Sequence, residues 1–103
     1  MPNMSEDTSG CVAAIIAILR SEFQVNHPVV DRSSGQPHVS FTVVGKRYHI
    51  YLEDGFEKQY AAAPQTGDLI LSGLPRKLRA STETRAVLIS RSGITELPSS
   101  NLL

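Results

Sequence analysis

The chain has 103 residues, with ten Lys and Arg balanced by ten Asp and Glu, three histidines and a single cysteine. This length predicts one domain with a core that needs neither metals nor disulfides. The charge balance argues against generic binding to nucleic acid or anionic membranes, and Cys11 has no partner for an internal disulfide. The polar, acidic N-terminus and the lone cysteine favour a cytoplasmic protein.

A helix is predicted over residues 9 to about 23, between flexible tails at 1–8 and 99–103 that flank a single domain at 9–98. Apolar residues recur in this helix at the spacing of one narrow stripe, formed by Val12, Ile15, Ile16, Leu19 and Phe23. One flank is also apolar, and it consists of Cys11, Ala14 and Ile18. We expect this flank to be covered by the C-terminal strands or by a second copy of the chain, and we favour a homodimer contact.

Residues 38–44 and 47–53 form a predicted β-hairpin, with Gly45-Lys46 as a type II′ turn. The turn pairs Phe41 with Ile50 and puts apolar side chains on an inner face. The outer face carries Ser40, Thr42, Val44, Arg47, His49 and Tyr51. A one-residue slip would mix the two sets, so the pattern and the turn agree about the two faces.

The remaining segments are less regular. Residues 25–31 predict a first strand, 56–63 a short helix or an irregular crossing, and 68–71 another short strand. The basic and polar segment at 74–84 predicts an exposed connection. Residues 85–91 predict a strand that turns at Ser92-Gly93 and pairs Leu88 with Leu97.

These elements predict an α+β domain in which the N-terminal helix packs on a five- or six-stranded antiparallel sheet. The alternative is the same helix capping a small, partial β-barrel. The strand after Thr66 is the element on which the choice depends, because it either extends the sheet or curls it.

No catalytic, metal or cofactor site is expected. His38 and His49 share the outer hairpin face, but the predicted register separates them by about four residues, too far for one metal ion. Cys11 lies near a helix N-terminus, yet it borders the apolar stripe and is interpreted as a core residue. The sequence contains no G-x-S-x-G elbow and no glycine-rich phosphate loop, so a non-enzymatic protein is predicted.

Two binding surfaces remain as hypotheses. The outer hairpin face offers Thr42, Arg47, His49 and Tyr51 to a protein partner, and Tyr and Arg are favoured in such interfaces. The leading hypothesis is therefore a small accessory, regulatory or inhibitor-type protein that binds another macromolecule through a sheet face or edge. The alternative is a nucleic-acid-associated protein that uses the basic segment 76–91, with Arg76, Lys77 and Arg79 on phosphates.

Overall fold

The structure is a computed structural model that describes residues 10–25, 27–31, 33, 37–80 and 85–97. The predicted tails, 1–8 and 99–103, lie outside the described residues. The elements follow in the order α1 (Gly10–Phe23), β1 (Val29–Asp31), β2 (His38–Val43), β3 (Lys46–Leu52), α2 (Phe56–Ala62), α3 (Pro64–Leu71), α4 (Leu74–Ala80), β4 (Ala86–Ser90) and β5 (Gly93–Glu96).

The five strands form one sheet in their sequence order, from β1 at one edge to β5 at the other. The α+β class is confirmed, and the sheet is open rather than closed into a barrel. Its neighbours are antiparallel except for β3 and β4, which run parallel, so the expectation of an entirely antiparallel sheet is wrong at this pair. A parallel pair needs a long crossover, and the segment containing α2, α3 and α4 supplies it.

The secondary structure predicted from the sequence was least accurate in this crossover. The helix expected near 56–63 is confirmed as α2, but residues 68–71, expected as a strand, belong to α3. The segment expected as an exposed connection contains α4, which buries Leu74 and Leu78. Leu71, Leu74 and Leu78 are spaced three and four residues apart, as on one side of a helix, and a short apolar run by itself does not separate strand from helix.

The β2–β3 hairpin has the predicted faces and a different register. Its turn is Val44-Gly45, with φ of 51° and 77°, so both central residues are left-handed as in a type I′ turn. Phe41 therefore lies opposite Tyr48 rather than Ile50. The shift is two residues, which exchanges cross-strand partners but leaves each side chain on its original face.

The second hairpin shows the same displacement. Leu88 lies opposite Thr95 instead of Leu97, because the turn is formed by Arg91 and Ser92 and precedes Gly93. The sequence interpretation made glycine the first turn residue of the β2–β3 hairpin and the second turn residue of the β4–β5 hairpin. In the structure, glycine is the second turn residue in one hairpin and follows the turn in the other.

All four helices bury side chains against the inner face of the sheet. The core cluster combines apolar residues of the four helices, of three strands and of the connection between α1 and β1: Cys11, Val12, Ile15, Leu19, Val25, Val39, Phe41, Ile50, Leu52, Phe56, Leu71, Leu74, Leu78, Val87 and Ile89. The expected burial of Phe41 and Ile50 in the core with the helix stripe is confirmed. No helix in the described part of the chain is both long and apolar enough to cross a bilayer.

Candidate functional site

The outer face of the sheet, opposite the four helices, is the candidate interaction surface. The register aligns its side chains in two rows across the strands. The first row is Asp31, His38, Tyr51, Leu88 and Thr95, and the second is Val29, Ser40, His49 and Ala86. Strand alternation places Thr42 and Arg47 on this face as a further cross-strand pair.

A cluster of three rings, His38, His49 and Tyr51, occupies the middle of the outer face. The His38 and Tyr51 rings are stacked, with centroids 4.4 Å apart and planes 3° apart. The His49 ring lies 5.1 Å from the His38 ring and 6.2 Å from the Tyr51 ring. Each side chain is half-buried, so the cluster combines apolar ring surface with accessible polar edges.

The two histidines of the ring cluster are hydrogen-bonded to each other. His38 Nε2 and His49 Nδ1 are 2.9 Å apart, which corrects the expectation that these residues lie too far apart to meet. The error came from the register, because His38 lies opposite Tyr51 and is therefore two residues from His49 along the ladder. Within the described ranges, no three His, Cys, Asp or Glu side chains converge as a metal-binding group.

Both imidazoles favour the neutral form. Partial burial lowers the pKa of His38 below its usual value of 6.5, and the nearby Asp31 carboxylate opposes that shift. Burial likewise lowers the pKa of His49, with the His38 and Arg47 charges acting in the same direction. At neutral pH, one ring therefore donates to the other, an arrangement that is lost when both become charged.

Arg47 is fixed at one side of the ring cluster by a hydrogen bond to a buried hydroxyl. Its Nη2 donates to Ser40 Oγ over 3.0 Å, and Ser40 is only 4% exposed. The Arg47 carbonyl also accepts a hydrogen bond of 3.3 Å from Arg85 Nε. These contacts hold the strand and the guanidinium in place, while the Arg47 side chain still reaches solvent.

A cleft of about 350 Å³ adjoins Arg47 at the β1 edge of the sheet. Its walls and floor are formed by Gln24, Val25, His27, Val29, Ser40, Phe41, Thr42 and Arg47. The cleft lies at the start of β1, where Val29 pairs with Ser40 and the preceding Pro28 has no N–H to extend the ladder.

The four predicted partner-binding residues all lie on the outer face. Thr42 is opposite Arg47, and His49 and Tyr51 belong to the ring cluster. His38 and Ser40 were also expected on this face but were not among the predicted partner-binding residues, whereas Leu88 was not expected there. For His38 and Ser40 the alternation of β2 was a sufficient signal, but Leu88 joins the face only through the parallel pairing of β3 with β4.

The predicted nucleic-acid residues lie elsewhere. Arg76, Lys77 and Arg79 are exposed on α4, a helix that packs on the inner side of the sheet. Arg79 is bonded to Glu22 over 3.2 Å and sits 5.0 Å above the Phe23 ring. Part of this basic segment is therefore used to join α4 to α1.

The predicted dimer flank is covered largely by the chain itself. Cys11 is 1% exposed, and Ala14 and Ile18 are partly buried against the core. The cover is formed by the crossover helices, since α1 contacts α2, α3 and α4. Cys11 is thus inaccessible to a second copy, and the dimer itself stays a prediction.

Comparison of the chain with protein-family models, with curated proteins and with solved structures finds no significant match. The fold and the side chains of the outer face are therefore the basis for a functional proposal.

Proposed function

We propose that this chain is a non-enzymatic interaction protein that binds a partner protein through its outer sheet face. The observation that carries the proposal is the ring cluster, because three half-buried rings lie on the sheet face opposite the four described helices. Tyr and Arg are the residue types that most often anchor protein interfaces, and Tyr51 and Arg47 lie on this face.

The surroundings of the ring cluster support a mixed interface. Leu88 lies next to Tyr51, and the exposed Val29 adds apolar surface at the β1 edge. Thr42 and Arg47 contribute polar groups at one side. An apolar centre with a polar border is the usual composition of a protein interface.

Nucleic acid is the less favoured partner. Bases bind best to ring faces that are open to solvent, whereas the His38 and Tyr51 faces are turned toward each other. The three residues of the alternative site, Arg76, Lys77 and Arg79, are on α4 on the other side of the sheet, and Arg79 and Arg91 each pair with a glutamate. The formal net charge of zero adds no general attraction for phosphate.

The cytoplasm is the proposed location, in keeping with a chain whose only cysteine is a core residue. Accessory, regulatory and inhibitor-type roles all follow from such a binding surface, and partner identity distinguishes them.

The experiment compares tagged wild-type protein with Tyr51→Ala in pull-downs from a nuclease-treated lysate of the native host. We expect a stoichiometric protein partner that Tyr51→Ala loses and that Arg76→Gln, the matched control on α4, retains. Purified partner and protein then give the affinity, for which loss of a central Tyr should cost about 10-fold or more. A partner that binds both variants equally contradicts the proposal.

Binding to labelled single-stranded DNA and RNA at low salt is the counter-test. Binding that Arg76→Gln and Lys77→Gln weaken, and that Tyr51→Ala leaves unchanged, assigns function to the basic segment instead.

A further inference from the structure

We propose that the cleft beside β1 binds a small ligand through one oxyanion group, a carboxylate or a phosphate. This site lies outside the ring cluster, although it shares Arg47, Thr42 and Val29 with the outer face, and its test requires no protein partner. Pro28 ends the β1–β2 ladder at the Val29–Ser40 pair, so the next β2 residues, Phe41 and Thr42, face a recess on that side instead of a paired strand.

The chemistry of the lining favours an anion. The guanidinium of Arg47 provides a permanent positive charge, and the hydroxyls of Ser40 and Thr42 and the ring of His27 supply polar groups close by. None of the side chains that line the cleft is acidic. Among the described residues, no carboxylate forms an ion pair with Arg47, and its charge is therefore available to a ligand.

The guanidinium is also positioned before any ligand arrives. One of its nitrogens donates to the buried Ser40 hydroxyl over 3.0 Å, and both residues line the cleft. The remaining N–H groups form the fork that matches two oxygens of a carboxylate or phosphate. Ser40, as the acceptor in this bond, keeps its own hydroxyl hydrogen for a ligand oxygen.

The size and the apolar part of the lining limit the rest of the ligand. A volume of about 350 Å³ is at the lower end for small-molecule sites. Val25 and Phe41 are buried residues that border the cleft, and Val29 is an exposed apolar wall. A short branched aliphatic acid is therefore the suitable organic probe.

The test is a nuclear magnetic resonance titration of labelled protein at constant ionic strength with isovalerate, inorganic phosphate and the neutral isovaleramide. We expect saturable shifts in the amides of Ser40, Phe41 and Thr42 with at least one of the two anions. Isovaleramide should bind about 10-fold more weakly or not at all, because it lacks the charge. Saturation with isovalerate alone assigns a carboxylate, and saturation with phosphate alone assigns a phosphate.

Variants locate the site. Arg47→Gln should weaken anion binding about 10-fold or more, Ser40→Ala should weaken it less, and Lys58→Gln, at an exposed position on α2, should leave it unchanged. Shifts that fail to saturate, or that persist in Arg47→Gln, overturn the inference. Because Tyr51→Ala removes no group that lines the cleft, it separates this result from the proposed protein interface.

Discussion

The two faces of the sheet share one backbone but differ in how their side chains are buried. On the inner face, Val39, Ile50 and Val87 lie in one row across three strands and are completely buried. On the outer face, the neighbouring row runs through His38, Tyr51 and Leu88, which are all half-buried. Because packing already fixes the sheet from one side, the other side can carry rings and charges, and it is the side that we propose for binding.

The two faces therefore contribute unequally to stability. The four helices bury apolar side chains of the inner face, and this burial supplies most of the stabilisation. The outer face contributes hydrogen bonds that hold His38, His49 and Arg47 in defined positions. Substitutions on the inner face should therefore lower the free energy of unfolding far more than substitutions on the outer face.

The largest effect is expected on the inner face. Phe41→Ala removes a ring that is 3% exposed and stacked on Tyr48, and should lower the free energy of unfolding by about 3–5 kcal/mol. Thr42→Ala, its exposed neighbour on the outer face, should change stability by well under about 1 kcal/mol. Urea denaturation measures both, and equal losses would show that the faces are not distinct.

An intermediate effect is expected in the crossover that covers the inner face. A methyl group added at Gly67 would overlap the Tyr60 ring, whose hydroxyl donates a 2.6 Å hydrogen bond to Asp68. That bond raises the pKa of Tyr60 to about 12. Gly67→Ala should displace the ring and cost about 1–3 kcal/mol despite the better helix propensity of Ala.

Gly73→Ala is the matched control for this change. A methyl group there would meet only the Ile70 carbonyl at an ordinary 3.7 Å, so little loss of stability is expected. If thermal denaturation ranks the two alanine variants equally, the close packing of α2 against α3 is not what holds Gly67 in place.

A smaller effect of opposite sign is expected at the tip of the β2–β3 hairpin. Val44 is 92% exposed and has a φ of 51°, a conformation that a β-branched residue adopts at a cost. Val44→Asn supplies the residue that type I′ turns favour and should stabilise the protein by about 0.5–1 kcal/mol. Val29→Asn, at another exposed valine within a strand, should give no such gain, and melting temperatures compare them.

The smallest effect is expected from protonation of the ring cluster. The folded pKa of His38 and that of His49 are both lowered, so the unfolded chain binds more protons as the pH falls below about 6.5. Their contribution to stability is therefore complete above that pH and is lost as the pH falls through the folded pKa values. Between pH 7.5 and pH 5.5, the melting temperature should fall more in the wild-type protein than in a variant that carries both His38→Gln and His49→Gln. An equal fall in both would show that the pair does not couple folding to pH.

The sequence alone determined the features that depend on local patterns. The helix stripe of Ile15 and Leu19, the two faces of the β2–β3 hairpin and the strand at 86–90 all follow from periodicities that burial enforces. Those faces were sufficient to place Thr42, Arg47, His49 and Tyr51 together. They were right even with the wrong register, because a two-residue shift preserves the side of the sheet.

Only the tertiary structure decided the features that depend on distant segments. Residues 68–71 are helical because α3 packs on α1 and α2, not because their own sequence excludes a strand. The parallel pairing of β3 with β4 follows from that helical crossover and brings Leu88 beside Tyr51. The contact between His38 and His49 depends on a turn at Val44, where the chain adopts a backbone conformation that valine disfavours and that the pairing of two whole strands stabilises.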